Sequence, residues 1–250
     1  MAKPKYIELG NGETLIPILY EDRSVLALDK PGGWMLAPDS WDRTGRNLHL
    51  ALQSSLNAGD FWARSRGLKY LRFVHRLDAE TTGITLFAKS PGVLRALSEI
   101  FEEREVEKYY WAVVHGIPKQ PQWTCDAALM PDPGMKGRMK TVPRPKLEKE
   151  LAEGNAKEAE TRFRVLKSFA ETALVEARPI TGRTHQIRVH LAAAGHSIIG
   201  DPLYGPDEKA ESKGRQRLAL RAVKLEYRDP FQKRKIWIEA PTEEFLKEFS

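Results

Sequence analysis

Short apolar runs that end at turn-forming residues constrain the fold of this chain more than any other feature of its sequence. Residues 25–28 form one such run, and the sequence Asp-Lys-Pro-Gly-Gly follows it at positions 29–33. This order predicts a β-strand that enters a turn. The same reasoning predicts further strands at residues 84–88, 109–114, 172–177, 218–222 and 236–238.

Two segments have the spacing of amphipathic helices. Residues 93–104 place apolar side chains on one face, with Ser90 as the predicted N-cap and Pro91 at the first helical position. Residues 184–194 show a similar spacing, and Gly195 is placed to end that helix. Because strands outnumber helices and occur in runs, the predicted fold class is α+β with a mixed, mostly antiparallel sheet.

The composition predicts a chain that folds by itself and favours a polyanionic partner. Its 250 residues, 41% of them hydrophobic, suffice for one large domain or two small ones. A formal charge of +6 favours nucleic acid, although many proteins with this charge bind none. We expect a single domain over residues 1–250, with an N-terminal extension at 1–20 and a basic insertion at 131–157.

Cysteine usage and hydropathy favour a cytoplasmic protein. Cys125 is the single cysteine and cannot form an internal disulfide. The sequence opens with no recognisable leader and contains no apolar run long enough to cross a membrane. We therefore expect a cytoplasmic setting and no membrane partner.

Basic residues are concentrated in two stretches. Residues 64–76 contain five Lys or Arg and no acid, and residues 136–149 contain six against Glu148 alone. Such stretches either neutralise phosphates or keep a loop solvated. The later stretch lies in the insertion at 131–157, which is poor in large apolar residues and predicted to pack weakly. Residues 147–159 are expected to form at most a short polar helix without an apolar face.

The first of three motifs places an aspartate among cations and hydroxyls. His75-Arg76-Leu77-Asp78 is followed by Ala-Glu-Thr-Thr and then Gly83. Neighbouring positive charge is expected to keep the Asp78 carboxylate ionised, and such a carboxylate can attack an electrophilic sugar carbon. The alternative is a turn capped by Asp78, with Gly83 at a positive φ angle. The residues alone leave both interpretations open.

The second motif opens the later predicted helix, where residues 181–188 read Thr-Gly-Arg-Thr-His-Gln-Ile-Arg. In a helix, His185 and Arg188 lie one turn apart and share a face. Arg183 at the helix N-terminus would attract an anion. The alternative is a surface helix that carries ordinary cations.

The third motif is Lys-Tyr-Tyr-Trp-Ala at residues 108–112, within a predicted strand. Tyr109 and Tyr110 must point to opposite faces of that strand, so one of them can line a site. A tyrosine offers a stacking face and a hydroxyl, which suits a planar base. Packing in the core is the default expectation for either residue.

In their order and spacing these motifs resemble the RluA family of pseudouridine synthases. The resemblance extends from about residue 25 to about residue 241 and includes the Asp-Lys-Pro turn at positions 29–31. It implies the pseudouridine synthase catalytic fold and the isomerisation of uridine to pseudouridine in RNA. It implies neither a cofactor nor a metal.

The resemblance also implies roles for individual residues. Asp78 matches the catalytic aspartate, which either attacks the sugar carbon or helps to remove a sugar proton and give a glycal. Tyr110 matches the tyrosine that stacks on the uracil. Arg188 matches the basic residue that pairs with the aspartate and keeps it charged.

Ribosomal or transfer RNA is the expected partner of what we expect to be a monomer. Arg76 matches a position associated with displacing the target nucleotide from its stack. Further RNA contacts are expected from His75, Lys108, Arg183 and His185. Relatives often carry an S4-type RNA-binding module, and the segment before the resemblance is too short to hold one. RNA selection is therefore expected to fall to the catalytic domain and its insertion.

Two other functions stay open on the sequence alone. One is a non-catalytic RNA-binding protein on the same fold. The other is an N-glycosidase that releases free uracil, which would need a second carboxylate or a water-activating group near Asp78. Glu80 is the near candidate in sequence.

Overall fold

The computed structural model describes residues 3–9, 14–36, 46–206 and 217–249. Contacts between residues divide the chain into two compact units. The first comprises Met1–Val106 and Ala222–Pro241, and the second comprises Glu107–Arg221 and Thr242–Ser250. Within the described ranges, no helix has the length and apolar character needed to cross a membrane.

Strands outnumber helices in the part of the chain that the structure describes. The strands are β1 (Tyr6–Leu9), β2 (Thr14–Glu21), β3 (Val25–Lys30), β4 (Arg72–Phe73), β5 (Thr82–Ala88), β6 (Glu107–His115), β7 (Gln122–Cys125), β8 (Leu129–Pro131), β9 (Met139–Thr141), β10 (Thr161–Ser168), β11 (Thr172–Pro179), β12 (Leu220–Arg228) and β13 (Lys235–Glu239). The α-helices are α1 (Leu48–Ala58), α2 (Phe61–Arg64), α3 (Pro91–Glu102), α4 (Leu147–Ala152), α5 (Gln186–Ala193) and α6 (Glu243–Phe249).

The first unit is built on a sheet with the strand order β1-β2-β3-β5-β12, in which β4 pairs with β5 and β13 with β12. The pairs β1–β2, β2–β3 and β3–β5 are antiparallel. Leu26 of β3 packs in one core with Leu52 of α1 and Trp62 of α2. The strands predicted at residues 25–28 and 84–88 are confirmed as β3 and β5.

The N-terminal residues contribute two strands to this sheet. Ile7 of β1 and Ile16 of β2 are both 0% exposed, and they belong to the same core as Leu26. β1 and β2 are thus structural parts of the first unit.

Helix α3 begins where the sequence predicts. Ser90 has an extended backbone with φ −153° and ψ 159°, and its side chain accepts a hydrogen bond from the Val93 N–H. Pro91 is the first helical residue, where its missing N–H leaves no helical bond unmade. The helix ends at Glu102, two residues before the predicted end at position 104.

The second unit contains a sheet with the strand order β6-β11-β10-β7, paired antiparallel throughout. The short β8–β9 hairpin forms a separate ladder, and α5 packs against β9, β10 and β11. β6 and β11 confirm the strands predicted at 109–114 and 172–177, and β12 and β13 confirm the two late strands. These elements give an α+β fold with mostly antiparallel pairing, as predicted.

The insertion at 131–157 packs better than its sequence suggests. Val142 and Ala156 are buried together, and Leu147 and Leu151 of α4 pack against them. The prediction of a helix without an apolar face is wrong, because these two leucines are four residues apart and share one face of α4.

Candidate active site

Asp78 lies in the first unit, in the loop between β4 and β5. The Thr81 N–H donates to the Asp78 carbonyl oxygen at 3.2 Å and closes a turn over residues 78–81. The Gly33 N–H donates to the Ala79 carbonyl at 2.9 Å, which ties this turn to the one that follows β3. Asp78 is half-buried, so its position is set by a loop that the backbone holds in place.

Lys30, the last residue of β3, binds the same loop. It is 0% exposed, and its Nζ donates to three carbonyl oxygens, those of Pro31, Trp34 and Ala79, at 3.0, 2.7 and 2.7 Å. An ammonium has three N–H donors, one for each of these oxygens. Burial lowers the pKa of Lys30 to about 7, against the opposing attraction of the Glu80 and Asp78 carboxylates.

Gly83 fixes the start of β5 where the loop returns to the sheet. Its φ of 104° lies in the region that favours glycine, which confirms the predicted positive φ angle. A Cβ at this position would lie 2.1 Å from the Ala222 carbonyl oxygen of β12. The close approach of β12 therefore excludes any side chain at position 83.

Of the three residues before Asp78, two pack against the first unit and one is exposed to solvent. The His75 ring stacks on Phe101 of α3 with centroids 5.0 Å apart, and the Leu86 N–H donates to His75 Nε2 at 3.2 Å. Arg76 is exposed and Leu77 is buried. These contacts set the direction in which the loop leaves β4 and keep Arg76 at the surface of the first unit.

In the second unit, Gln186 organises the turn that leads into α5. Its Oε1 accepts from the Thr181 hydroxyl at 2.7 Å and from the Arg183 N–H at 3.0 Å. Its Nε2 donates to the Glu160 carbonyl and the Thr161 hydroxyl, both at 2.9 Å. Because Gln186 is buried, this amide network replaces water and fixes the turn.

Arg183 and His185 are each held by contacts within the second unit. Arg183 Nε donates to the Glu158 carbonyl at 3.0 Å. His185 has a φ of 56° and is the N-cap residue of α5, so the helix begins at Gln186 rather than at the predicted Thr184. The predicted helix is otherwise confirmed, with Gly195 at a φ of 83° just beyond it.

Arg188 of α5 forms a buried, bidentate ion pair with Asp201. Its Nε and Nη2 donate to the two carboxylate oxygens, each at 2.8 Å. The side chains are 4% and 0% exposed. Asp201 Oδ1 also accepts from the N–H groups of Leu203 and Tyr204. A fork-to-fork pair of this kind holds the guanidinium in one orientation.

Tyr204 connects Arg188 to the basic insertion. Its hydroxyl accepts from the Met139 N–H at 2.9 Å and lies 2.9 Å from His185 Nδ1. The guanidinium carbons of Arg188 and Arg138 lie 5.2 and 5.4 Å from the centre of its ring. One aromatic side chain thus contacts α5, its N-cap and the β8–β9 hairpin.

Tyr110 and Tyr109 are neighbours on β6. Tyr110 is 8% exposed and lies opposite Ala177 of β11. Arg178 Nη2 donates to the Tyr109 hydroxyl at 2.9 Å, and its guanidinium carbon lies 4.4 Å from the Tyr109 ring centre. Since β6 is a strand, the two tyrosines point to opposite faces, as predicted. Lys108, next to them, is half-buried.

The predicted site residues fall into two sets. The first unit holds His75, Arg76 and Asp78, and the second holds Lys108, Tyr110, Arg183, His185 and Arg188. Sequence reasoning missed the roles of Lys30, Asp201 and Tyr204, although all three lie in segments that carry the family resemblance. Among the residues that the structure describes, no group of three or more His, Cys, Asp or Glu could hold a metal ion.

Comparison with known proteins identifies the family. Residues 24–193 match the family described as RNA pseudouridylate synthase. Ribosomal large subunit pseudouridine synthase C of Vibrio cholerae is 37% identical over 234 residues, which cover 92% of this chain and 67% of that protein. The protein of the same name from Escherichia coli is 37% identical over 235 residues, with the same two coverages of 92% and 67%. The chain therefore belongs to the RNA pseudouridylate synthase family, whose members convert uridine in RNA into pseudouridine.

Solved structures confirm the predicted fold. Human RNA pseudouridylate synthase domain containing 1 is 26% identical with a TM-score of 0.70, covering 94% of this chain and 86% of that one. Human RNA pseudouridylate synthase domain containing 4 is 25% identical with a TM-score of 0.70, covering 92% of this chain and 90% of that one.

Proposed function

We propose that this chain converts uridine to pseudouridine in large-subunit ribosomal RNA, with Asp78, Tyr110 and Arg188 as its catalytic residues. Large-subunit ribosomal RNA is proposed as the substrate because this chain is 37% identical, over 92% of its length, to proteins named for that ribosomal subunit. Those relatives and the lone cysteine, Cys125, support a cytoplasmic setting. We propose further that residues 1–250 act as one catalytic domain, as a monomer, without cofactor or metal.

Asp78 starts the reaction as an ionised carboxylate. It either attacks the sugar carbon of the target uridine or removes a sugar proton to give a glycal. Uracil is released from its ribose in both routes, turns, and rejoins through C5. Support for this role comes from the loop that fixes Asp78 through Lys30 and Gly83, because a positioned carboxylate reacts faster than a mobile one.

Arg188 acts as the basic partner of Asp78 in the reaction. A guanidinium remains protonated at every pH at which the protein folds. Its bidentate pair with Asp201 supports a fixed placement, because that pair holds the guanidinium in one orientation before RNA binds.

Tyr110 stacks on the uracil while it is detached. Its position on the face of β6 opposite to the Tyr109 ring that Arg178 engages supports this role. Tyr109 is engaged by Arg178 and does not share this task.

Arg76 fills the space that the flipped nucleotide leaves in the RNA stack. Its exposure at the loop before Asp78 supports that role. His75, Lys108, Arg183 and His185 add contacts to the RNA, and the basic insertion at 131–157 acts as a substrate-specific arm. The Met139 N–H of this arm donates to the Tyr204 hydroxyl, and this contact supports a link between the arm and α5.

Release of tritium from RNA labelled at uracil C5 tests the proposed substrate. Purified protein is incubated with ribosomal RNA and transfer RNA in separate reactions, and the products are digested and separated. We expect tritium release and pseudouridine from ribosomal RNA alone. Reaction with transfer RNA alone would contradict the choice of RNA, and free uracil would indicate an N-glycosidase instead.

A further inference from the structure

A cavity of about 680 Å³ opens in the first unit, away from the Asp78 loop. Its walls come from the β2–β3 turn, from residues 66–70 after α2, and from Lys89 after β5. None of the residues assigned to the reaction lines it.

The strand register places this cavity at the opposite end of the sheet from Asp78. Val25 pairs with Ala88 at the cavity end of β3 and β5, whereas Lys30 pairs with Gly83 at the end next to the Asp78 loop. Five residues of an antiparallel strand span about 17 Å. A group bound in the cavity is therefore separated from the reacting uridine by more than one nucleotide.

The walls of the cavity carry an excess of positive charge. Five cations line it against two carboxylates: Lys3, Arg23, Arg66, Lys69 and Lys89 against Glu21 and Asp22. Glu21 is bound by Arg66 at 2.9 Å and by Lys89 at 2.8 Å. Asp22 is bound by Arg234 at 3.0 Å, a residue outside the lining. Lys3 also lies 3.5 Å from Glu21. The two carboxylates are thus already neutralised, and Arg23 and Lys69 remain as the lining cations without an ion pair among the described residues.

Two of the cations are buried in the wall, and one of them has a donor to spare. The side chains of Arg66 and Lys89 are 3% and 11% exposed. Lys89 Nζ donates to Glu21 and to the Asp22 carbonyl, which uses two of its three N–H groups. Arg23 and Lys69 make no ion pair within the described ranges. A buried cation with an unused donor favours an incoming anion, because the cost of desolvating it has been met on folding.

We propose that this cavity binds a backbone phosphate of the substrate RNA, several nucleotides from the target uridine. The proposal rests on RNA being the substrate. Lysine and arginine are the residues that neutralise RNA phosphates. Tyr70, in the same lining, adds an aromatic face on which a neighbouring base can stack.

The test is an RNA-binding titration with the variant Arg23→Glu/Lys69→Glu over a range of salt concentrations. We expect the affinity for a ribosomal RNA fragment to fall by roughly tenfold or more, and the salt dependence of log K to become shallower by about 0.7–0.9 units, because one phosphate contact is lost. The milder variant Arg23→Gln/Lys69→Gln is expected to change both quantities in the same direction by less. Matching urea midpoints verify that both variants fold.

The matched control is Arg95→Glu/Lys247→Glu, which makes the same change in charge. Both residues are highly exposed and lie beside acidic side chains on α3 and α6, so we expect a much smaller effect on RNA affinity. Equal losses in the control and the test variant, or no loss in either, would overturn the proposal. A comparable loss of binding to polyglutamate would show a general anion surface and also overturn it. Binding is measured without turnover, so its outcome is independent of whether the wild type releases tritium.

Discussion

Arg188 and Asp201 form a bidentate ion pair in the second unit, with both N···O distances at 2.8 Å. The same carboxylate caps the following turn by accepting from two backbone N–H groups. One aspartate therefore holds both the orientation of Arg188 and the position of Tyr204. We therefore expect substitutions at Asp201 to lower the rate of pseudouridine formation although Asp201 itself does not contact the RNA.

Substituting Asp201→Asn removes the charge and keeps an oxygen for the turn. Arg188 then loses the buried carboxylate that neutralises it, which costs about 3–5 kcal/mol of stability, and pseudouridine formation falls with it. Urea unfolding and tritium release measure the two effects. Glu160→Gln breaks an exposed pair with Arg162 and is expected to cost less than about 1 kcal/mol. Equal losses of stability and activity in the two variants would show that the buried pair of Asp201 with Arg188 contributes no more than an exposed ion pair.

Substituting Gly83→Ala destabilises the first unit. The new Cβ would meet the Ala222 carbonyl at 2.1 Å on a backbone with a φ of 104°, so we expect a loss of about 3 kcal/mol or more. Gly92→Ala is the control, because it adds a Cβ in open space within α3 and should raise stability by up to about 1 kcal/mol. Thermal or urea unfolding distinguishes them, and a Gly83→Ala protein as stable as the wild type would contradict the close packing of β5 on β12.

Stability is expected to rise with pH because of Lys30. Burial lowers its pKa from 10.5 to about 7. Between these values the unfolded chain holds a proton that the folded chain has released, so the free energy of unfolding increases with pH by up to about 1.4 kcal/mol per unit. Below about pH 7 both states hold the proton, and the dependence ends. Urea unfolding of the wild type and of Lys30→Met, near pH 7 and near pH 9, tests this, and parallel pH profiles would contradict it.

Substituting Tyr204→Phe separates the hydroxyl from the ring. The ring keeps its contacts with the two guanidinium groups, whereas the Met139 N–H and His185 Nδ1 lose their contact with the hydroxyl. We expect a loss of about 1–2 kcal/mol in stability and faster hydrogen exchange at the Met139 amide. Tyr6→Phe, at an exposed tyrosine, serves as the control. Unchanged exchange at Met139 would show that this hydroxyl does not anchor the hairpin.

Local sequence patterns predicted the elements well and the interactions between them poorly. Ser90 and Pro91 marked the start of α3 because capping depends on adjacent residues. Lys30, by contrast, appeared as a turn residue, since its acceptor at Ala79 lies 49 positions away. Burial of a lysine depends on partners that only the fold brings close.

For the same reason, the sequence did not indicate which carboxylate pairs with Arg188. Asp201 lies 13 positions after Arg188, beyond the end of α5, where helical spacing predicts nothing. The apolar face of α4, which Leu147 and Leu151 form, was missed because the residues between these two leucines are charged. Roles for Asp78 and Tyr110 came from family resemblance, because no local pattern distinguishes a catalytic aspartate from one that caps a turn.

Tritium release from ribosomal RNA by the Asp78→Asn variant, beside the wild type, shows whether the reaction depends on the Asp78 carboxylate. Asparagine keeps the shape of the side chain and removes the charge that both chemical routes require. We predict that the variant folds and binds RNA like the wild type and releases no tritium above background. Release at the wild-type rate would contradict the assignment of the reaction to Asp78.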